Sequence, residues 1–248
     1  KNWNFCPFYH KLVHIDKVSA FKGNEYTAFG SAIHDVCEKQ VIKEDKTAVE
    51  HFLKRFEEEL QDLDSDVEIR DELVASMREQ GAVLVPEAVP MLSEVFGPYE
   101  VVSAEERLYE PIEGVENYTF KGFIDLVIKT ADGKYHIIDW KTCSWGWNQR
   151  RKADPMTTYQ LTLYKHFFAK KHNIEEDLIE THFALLKRTA KKDRVEIFRV
   201  TSGDKKTKNA LSLLHKALHN IQKGNCMKNR LSCTSGYGCD LYRTKHCP

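Results

Sequence analysis

An apolar stretch carrying a single acid, Phe123-Ile124-Asp125-Leu126-Val127-Ile128, runs into the turn Ala131-Asp132-Gly133. A second apolar stretch follows and ends in Asp139-Trp140-Lys141. Alternating β-branched and aromatic residues on either side of an Asp-Gly turn predict two adjacent strands. Charges at the mouth of buried strands are costly unless they are paired or hold a metal. Asp125 and Asp139, on neighbouring strands, can face one pocket and offer hard oxygen ligands to a divalent cation, with Lys141 beside them to orient a water or meet developing negative charge. An ion-paired hairpin rim accounts for the same three residues, and they alone leave both readings open. Asp-x-Lys itself carries little information, because it occurs at Asp132/Lys134, Asp139/Lys141 and Asp204/Lys206, and only the middle pair ends an apolar strand.

Around this centre the hydrophobic spacing predicts helices over 27–43, 47–63 and 67–80, strands over 100–109, 118–129 and 135–139, a helix over 156–171, strands over 181–186 and 195–200, and a last helix over 204–222. That order describes an α/β domain with a central mixed sheet flanked by helices. With 248 residues, 42% of them hydrophobic, the chain can bury a sizeable core, and without repeats or low-complexity linkers a single domain is expected. No stretch approaches the roughly 18 apolar residues of a membrane span, and Lys1–Pro7 lacks a signal-peptide core. An intracellular protein without a membrane partner is expected, cytoplasmic if bacterial or phage-encoded; the chain begins at Lys1 rather than Met.

The formal net charge of zero hides a division: residues 1–125 carry −13 and residues 126–248 carry +13. Basic runs at Arg150-Arg151-Lys152, Lys187-Arg188 and Lys191-Lys192 let one half face a polyanion while the acidic helices of 44–79 stay away from it. Two solvated surfaces of opposite sign are the plainer account. Seven cysteines, an odd number without a secretion signal, suit a reducing compartment better than a disulfide framework. Three of them, Cys233, Cys239 and Cys247, crowd the end of the chain.

The match to a known family extends beyond the tripeptide. Gly30-Ser-Ala-Ile-His34, Gly122-Phe-Ile-Asp125, Ile138-Asp139-Trp140-Lys141-Thr142 and Gln160-Leu-Thr-Leu-Tyr164 stand in the order of the Gly-x-x-x-His, Gly-x-x-Asp, Asp-x-Lys-Thr and Gln-x-x-x-Tyr elements. In this the chain resembles the RecB-like branch of the PD-(D/E)XK nucleases, which includes CRISPR adaptation nucleases and phage exonucleases. The resemblance implies a restriction-endonuclease-like core over 99–200, a helical part over 27–98, and a helix with a Cys-rich tail over 201–248. It implies Asp125, Asp139 and Lys141 as catalytic residues, and His34, Asp125 and Asp139 as ligands of Mg²⁺ or Mn²⁺. Gln160 and Tyr164 support the centre and the nucleic acid. The imidazole should favour manganese, and Glu105 or Glu106 is a candidate additional acid.

In several branches a Cys ahead of the domain joins three near the C-terminus on a 4Fe-4S cluster. By that resemblance Cys6, in Cys6-Pro7-Phe8-Tyr9, pairs with Cys233, Cys239 and Cys247, whose spacing departs from the tighter Cys-x-x-Cys, so that Cys226 could replace one ligand. Structural Zn²⁺ on the same thiolates is the alternative, and unrelated thiols are the plainest reading. Trp145, Trp147, Arg150 and Arg151 after the core can stack bases and contact phosphates, although a surface loop is the plainer account of each one alone. The expected function is a metal-dependent deoxyribonuclease, an exonuclease or end-processing enzyme on single-stranded or frayed DNA. A nuclease-derived DNA-binding subunit and an RNA-processing enzyme are the alternatives.

Overall fold

The turn between the two apolar stretches closes through the Thr130 N–H, which donates to Lys134 O at 3.0 Å, and Gly133 supplies the positive φ of +84° that the turn requires. The computed structural model describes residues 1–18, 21–43, 47–236 and 238–248, so residues 44–46 of the acidic 44–79 stretch lie outside the described residues. In chain order, Asn2–Phe5 (α1), Pro7–His10 (α2), a π-helical turn at Lys11–Ile15, Glu25–Ile42 (α3), Ala48–Gln61 (α4), Asp71–Ala88 (α5) and Pro90–Phe96 (α6) precede the sheet. Strands Tyr99–Pro111 (β1), Thr119–Thr130 (β2) and Tyr135–Cys143 (β3) come next. Gln149–Ala153 (α7) and Pro155–His172 (α8) then lead to Ile179–Lys187 (β4), Val195–Val200 (β5) and Asp204–Gln222 (α9).

The five strands lie in sequence order, β1-β2-β3-β4-β5. Three pairs are antiparallel, and β3–β4 is parallel because α7 and α8 form the crossover between them. This is the mixed sheet flanked by helices that the pattern predicted. Leu126, Ile128, Ile138, Trp140, Ala184 and Leu186 from the sheet form one core with Phe29, Ile33 and Val36 of α3, Phe52 and Phe56 of α4, and Met77 and Leu84 of α5.

Several boundaries differ from the spacing-based reading, and two of them have a clear local reason. The α3 helix starts at Glu25 rather than Thr27, because Asn24 caps it: its side chain accepts from the N–H groups of Tyr26 and Thr27, while the Thr27 hydroxyl accepts from the Asn24 N–H. Glu25 itself is buried, and Arg70 grips it through Nε at 3.0 Å and Nη2 at 3.3 Å. Those hydrogen bonds hold its carboxyl down at about 2. The α5 helix continues past Gly81 to Ala88, with Pro86 in its last turn. Gly81 is a packing position: a Cβ there would stand 2.0 Å from the Phe52 ring.

Contacts divide the chain into two compact units, residues 23–207 with the sheet, and residues 1–22 with residues 208–248, the boundary falling inside α9. In the smaller unit, Phe8, Tyr9 and Val13 pack on Leu12, Leu241 and Cys247. Asn229 Nδ2 donates to Phe5 O at 2.9 Å, and Met227 O accepts the Phe8 N–H at 3.3 Å. No helix among the described residues is long and apolar enough to cross a membrane.

The Gly81 contact yields a prediction of sign. On helix propensity alone Gly81→Ala would stabilise by about 1 kcal/mol, but overpacking against Phe52 costs about 1–3 kcal/mol. Gly81→Ala should therefore lower the urea midpoint, and Phe52→Leu in the same chain should recover part of the loss. A higher midpoint for the single variant would contradict the packing.

Candidate active site

β2 and β3 pair from Lys129↔Tyr135 to Leu126↔Ile138, and the ladder stops one residue short of Asp125 and Asp139. Beyond that point a side chain replaces backbone pairing: Asp125 Oδ2 accepts the Trp140 N–H at 2.8 Å. The two strands part where the acids sit, which satisfies the freed amide and leaves room between the carboxylates. Asp139 is 1% exposed. Its Oδ1 accepts from Gln160 Nε2 at 2.9 Å, and its Oδ2 faces the Lys141 ammonium in an ion pair.

Each neighbour reaches this point for a local reason. α8 opens at Asp154, whose carboxylate accepts the Thr157 N–H, with Pro155 at the first helical position. That phase puts Gln160 and Tyr164 on one face, where Gln160 Nε2 also donates to Tyr164 Oη at 3.1 Å. A Cβ at Gly122 would lie 2.8 Å from the Tyr164 ring, so glycine at this position is what lets the ring come down on β2. On α3, Gly30 lies against Thr142, where a Cβ would sit 3.4 Å from Oγ1, and His34 one turn later brings Nδ1 to 3.5 Å from Asp125 Oδ2.

Burial pushes the Asp139 carboxyl up to about 6, with the Asp125 charge adding to the rise and Lys141 opposing it. Burial works against the Lys141 ammonium too, yet the Asp139 charge and hydrogen bond lift it above its ordinary value. Burial, then the Asp139 charge, also raises the Tyr164 hydroxyl. Two crowded carboxylates, one of them desolvated, are the environment a cation relieves. The donor atoms of His34, Asp125 and Asp139 do not all lie within 4.8 Å of one another, wider than the roughly 4.2 Å across one small cation, so a shared ion would draw them in.

The sequence reading did not find Glu38, one turn after His34. Burial raises its carboxyl, and Glu105, Asp35 and Asp125 raise it further. The signal was available in the four-residue spacing from His34, but an exposed acidic helix face looks the same. Of the two candidate acids on β1, Glu105 faces this cluster at a positive φ of +53°. Glu106 is committed elsewhere, to Lys171 at 2.7 Å and His172 at 2.8 Å.

The loop after β3 needs correction. Trp147 is buried, not a stacking platform: its ring packs on Phe183 and Phe198 at 5.1 and 6.2 Å, with the Arg151 guanidinium 4.4 Å above it. Lys152 pairs with Glu196 and lies over the Phe198 ring, so it is part of the fold and not a free phosphate contact. Trp145, 80% exposed, is presented to solvent, and so are Arg150 and Arg151, the latter while its guanidinium covers Trp147. In the other basic run, Lys187 meets Glu196, Arg188 donates to Gln80 and Ser144, and Arg194 pairs with Glu87. These three are tied down too, which leaves Lys191 and Lys192 exposed.

In the smaller unit, Cys6, Cys233, Cys239 and Cys247 all line one cavity of about 240 Å³, and Cys226 does not. No three of these thiols lie within 4.8 Å of one another, whereas thiolates on one zinc stand about 3.8 Å apart. Burial raises the Cys239 thiol, and the Cys233 and Cys247 charges raise it further. Cys6 Sγ accepts the Asn229 N–H at 3.3 Å.

The family model of the PD-(D/E)XK nuclease superfamily matches residues 1–244. Among solved structures, the chain is similar to a "Putative exonuclease" from Eubacterium rectale, with a TM-score of 0.59 and 13% identity, over 93% of this chain and 79% of that one. A looser likeness, to SSO0001, has a TM-score of 0.40 and 14% identity over 88% and 91% of the two chains and bears no weight. No curated protein sequence matches.

The raised Asp139 carboxyl predicts how the metal-free protein responds to pH. The folded state holds this proton up to about pH 6, the unfolded state only to about 4, so stability from this group is present below about 4 and lost as pH rises through about 6. Urea midpoints in the presence of a chelator should fall across that window, and Asp139→Asn should flatten the fall. An identical pH profile in the variant would remove Asp139 as the cause.

Proposed function

The chain belongs to the PD-(D/E)XK nuclease superfamily and is a metal-dependent nuclease, and on that footing we propose that it hydrolyses DNA as an exonuclease or end-processing enzyme on single-stranded or frayed ends. The observation that carries the assignment to these residues is the buried Asp139, held between Lys141 and Gln160 where β2 and β3 part, with Asp125 and His34 alongside. In this reading Asp125, Asp139 and His34 hold Mg²⁺ or Mn²⁺. When bound, the cation lowers the pKa of a water and neutralises charge on the scissile phosphate.

The protein's own groups do the rest. Gln160 fixes the Asp139 carboxylate through Oδ1, which leaves Oδ2 directed at Lys141. The Lys141 ammonium, two residues along the same strand from Asp139, would orient the attacking water or meet charge building on the phosphate. Tyr164 braces Gln160 from the next turn of α8. Glu38 and Glu105 add negative charge near His34, which disfavours a phosphate backbone there, while Arg150, Lys191 and Lys192 are exposed cations that could meet it. Trp145, fully presented, is suited to stack on an unpaired base.

A 4Fe-4S cluster on Cys6, Cys233, Cys239 and Cys247 belongs to the same proposal. Its support is the shared cavity together with Lys228, Arg230 and Arg243 in the cavity wall, which would offset the negative charge of four thiolates.

The catalytic assignment is tested with end-labelled linear single strands, circular single strands, duplex and RNA, in Mn²⁺. Linear single-stranded DNA should be cut and circles should resist. Lys141→Ala should slow cleavage by about 10²–10³-fold with Mn²⁺ affinity kept, whereas Asp139→Ala should lose both. Full activity in either variant overturns it. For the cluster, anaerobically purified protein should contain about four iron atoms per chain, and Cys6→Ser should lose them with a lower melting temperature. Protein with neither iron nor zinc would end the metal reading of these thiols.

A further inference from the structure

Among the described residues, one group of His, Cys, Asp or Glu side chains brings three ligand atoms within 4.8 Å of one another: His136 near the start of β3, with Glu180 and His182 on β4. The parallel register sets Glu180 opposite His136 and His182 opposite Ile138, so β4 places both of its ligands beside the same imidazole. His136 Nδ1 and His182 Nε2 are 3.2 Å apart, and Glu180 Oε2 is 3.9 Å from each. Donors at 2.0–2.1 Å from a tetrahedral zinc stand about 3.3–3.4 Å from one another, so the two Glu180 edges need to close by only about half an ångström and the imidazole edge already has about the right length.

The surroundings are those of a prepared site. Thr130 Oγ1 lies 3.0 Å from His136 Nε2 and can accept its N–H, which fixes the tautomer that leaves Nδ1 unprotonated. Glu180 is divided between two tasks: Oε1 is held by Lys134 at 3.4 Å and Arg199 at 3.3 Å, while Oε2 points to the imidazoles. The Phe96 ring packs on both histidines, at 4.7 and 5.0 Å between centroids, and limits their rotation. Burial lowers the pKa of both imidazoles, His182 to about 3, with the facing histidine and Arg199 lowering it further. The facing nitrogens of the two rings can share one proton, and a Lewis acid between them replaces that single bond with two.

We propose that His136, His182 and Glu180 form a second metal site, distinct from the Asp125–Asp139 centre, which takes a zinc-like transition metal with water as the fourth ligand and clips β3 to β4. Two nitrogens and one oxygen select zinc over magnesium, which prefers six oxygens. The two centres of the sheet thus sort metals by donor type. Neither Asp139 nor Lys141 takes part, so loss of this site should leave Mg²⁺-dependent cleavage near its parent rate.

Chelator-treated full-length protein, titrated with Zn²⁺ against a chromophoric competitor, should bind one equivalent more than His182→Gln or Glu180→Gln does. Thr130→Val should weaken that equivalent by about 10–100-fold. The parent alone gives a second readout if a variant fails to fold: X-ray absorption with one equivalent of zinc bound should show only nitrogen and oxygen near 2.0–2.1 Å, because a cysteine site places sulfur at about 2.3 Å. In a thermal melt, saturating zinc should raise the parent's midpoint by about 5–10 °C more than the Glu180→Gln midpoint. Equal stoichiometry in parent and variants, or a sulfur-dominated shell, would overturn the site.

Discussion

A carboxylate with almost no access to water, Asp139, sits where two strands stop pairing. Leaving a charge there is expensive unless its neighbours meet it, and much of the larger unit is arranged around that requirement. Gln160 needs α8 in a defined phase, Tyr164 braces Gln160, and Gly122 makes room for Tyr164. Lys141 lies two residues along the same strand. His34 and Asp125 come from the other side, with α3 resting on Thr142 at Gly30. The four short motifs scattered over residues 30–164 are thus one packing problem solved from four directions.

The division of charge along the chain lets a neutral protein serve a polyanionic substrate. The acidic surplus lies on helices before the sheet and the basic surplus after β2. Many of the cations are nonetheless fixed to acids of the fold: Lys152 and Lys187 share Glu196, Arg194 holds Glu87, and Arg70 holds Glu25. A count of basic residues overstates the surface available to phosphate, because buried or half-buried carboxylates claim part of it.

How far the sequence reached follows from which physics governs each segment. The strands and the helices α3, α4, α8 and α9 were legible because apolar period and turn chemistry agree there. Asp125 and Asp139 were legible because an acid inside an apolar run is conspicuous in one dimension, whereas His34, Gln160 and Tyr164 became candidates only through the family resemblance. α5 beyond Gln80 was not, since Gly81 has the signature of a helix end and its cause, the Phe52 ring, lies on another helix. Trp147 was misread for a similar reason: a Trp in an Arg-rich loop gives no sign that Phe183 and Phe198 enclose it. The histidines at 136 and 182 passed unnoticed because they are 46 residues apart and only the parallel pairing of β3 with β4 makes them neighbours.

The smaller unit joins residues 1–22 to residues 208–248 and encloses the cavity of the four cysteines. During synthesis the first of these segments leaves the ribosome well ahead of the second, with all 185 residues of the sheet-bearing unit, 23–207, between them. Cys6 must therefore wait, exposed and unpartnered by the tail, until Cys233, Cys239 and Cys247 have emerged. A group held by all four thiols, as in the proposed cluster, could be completed only once Cys247 had been added to the growing chain, and a chain stopped a few residues short of it would carry every residue of the sheet-bearing unit with an incomplete thiol pocket.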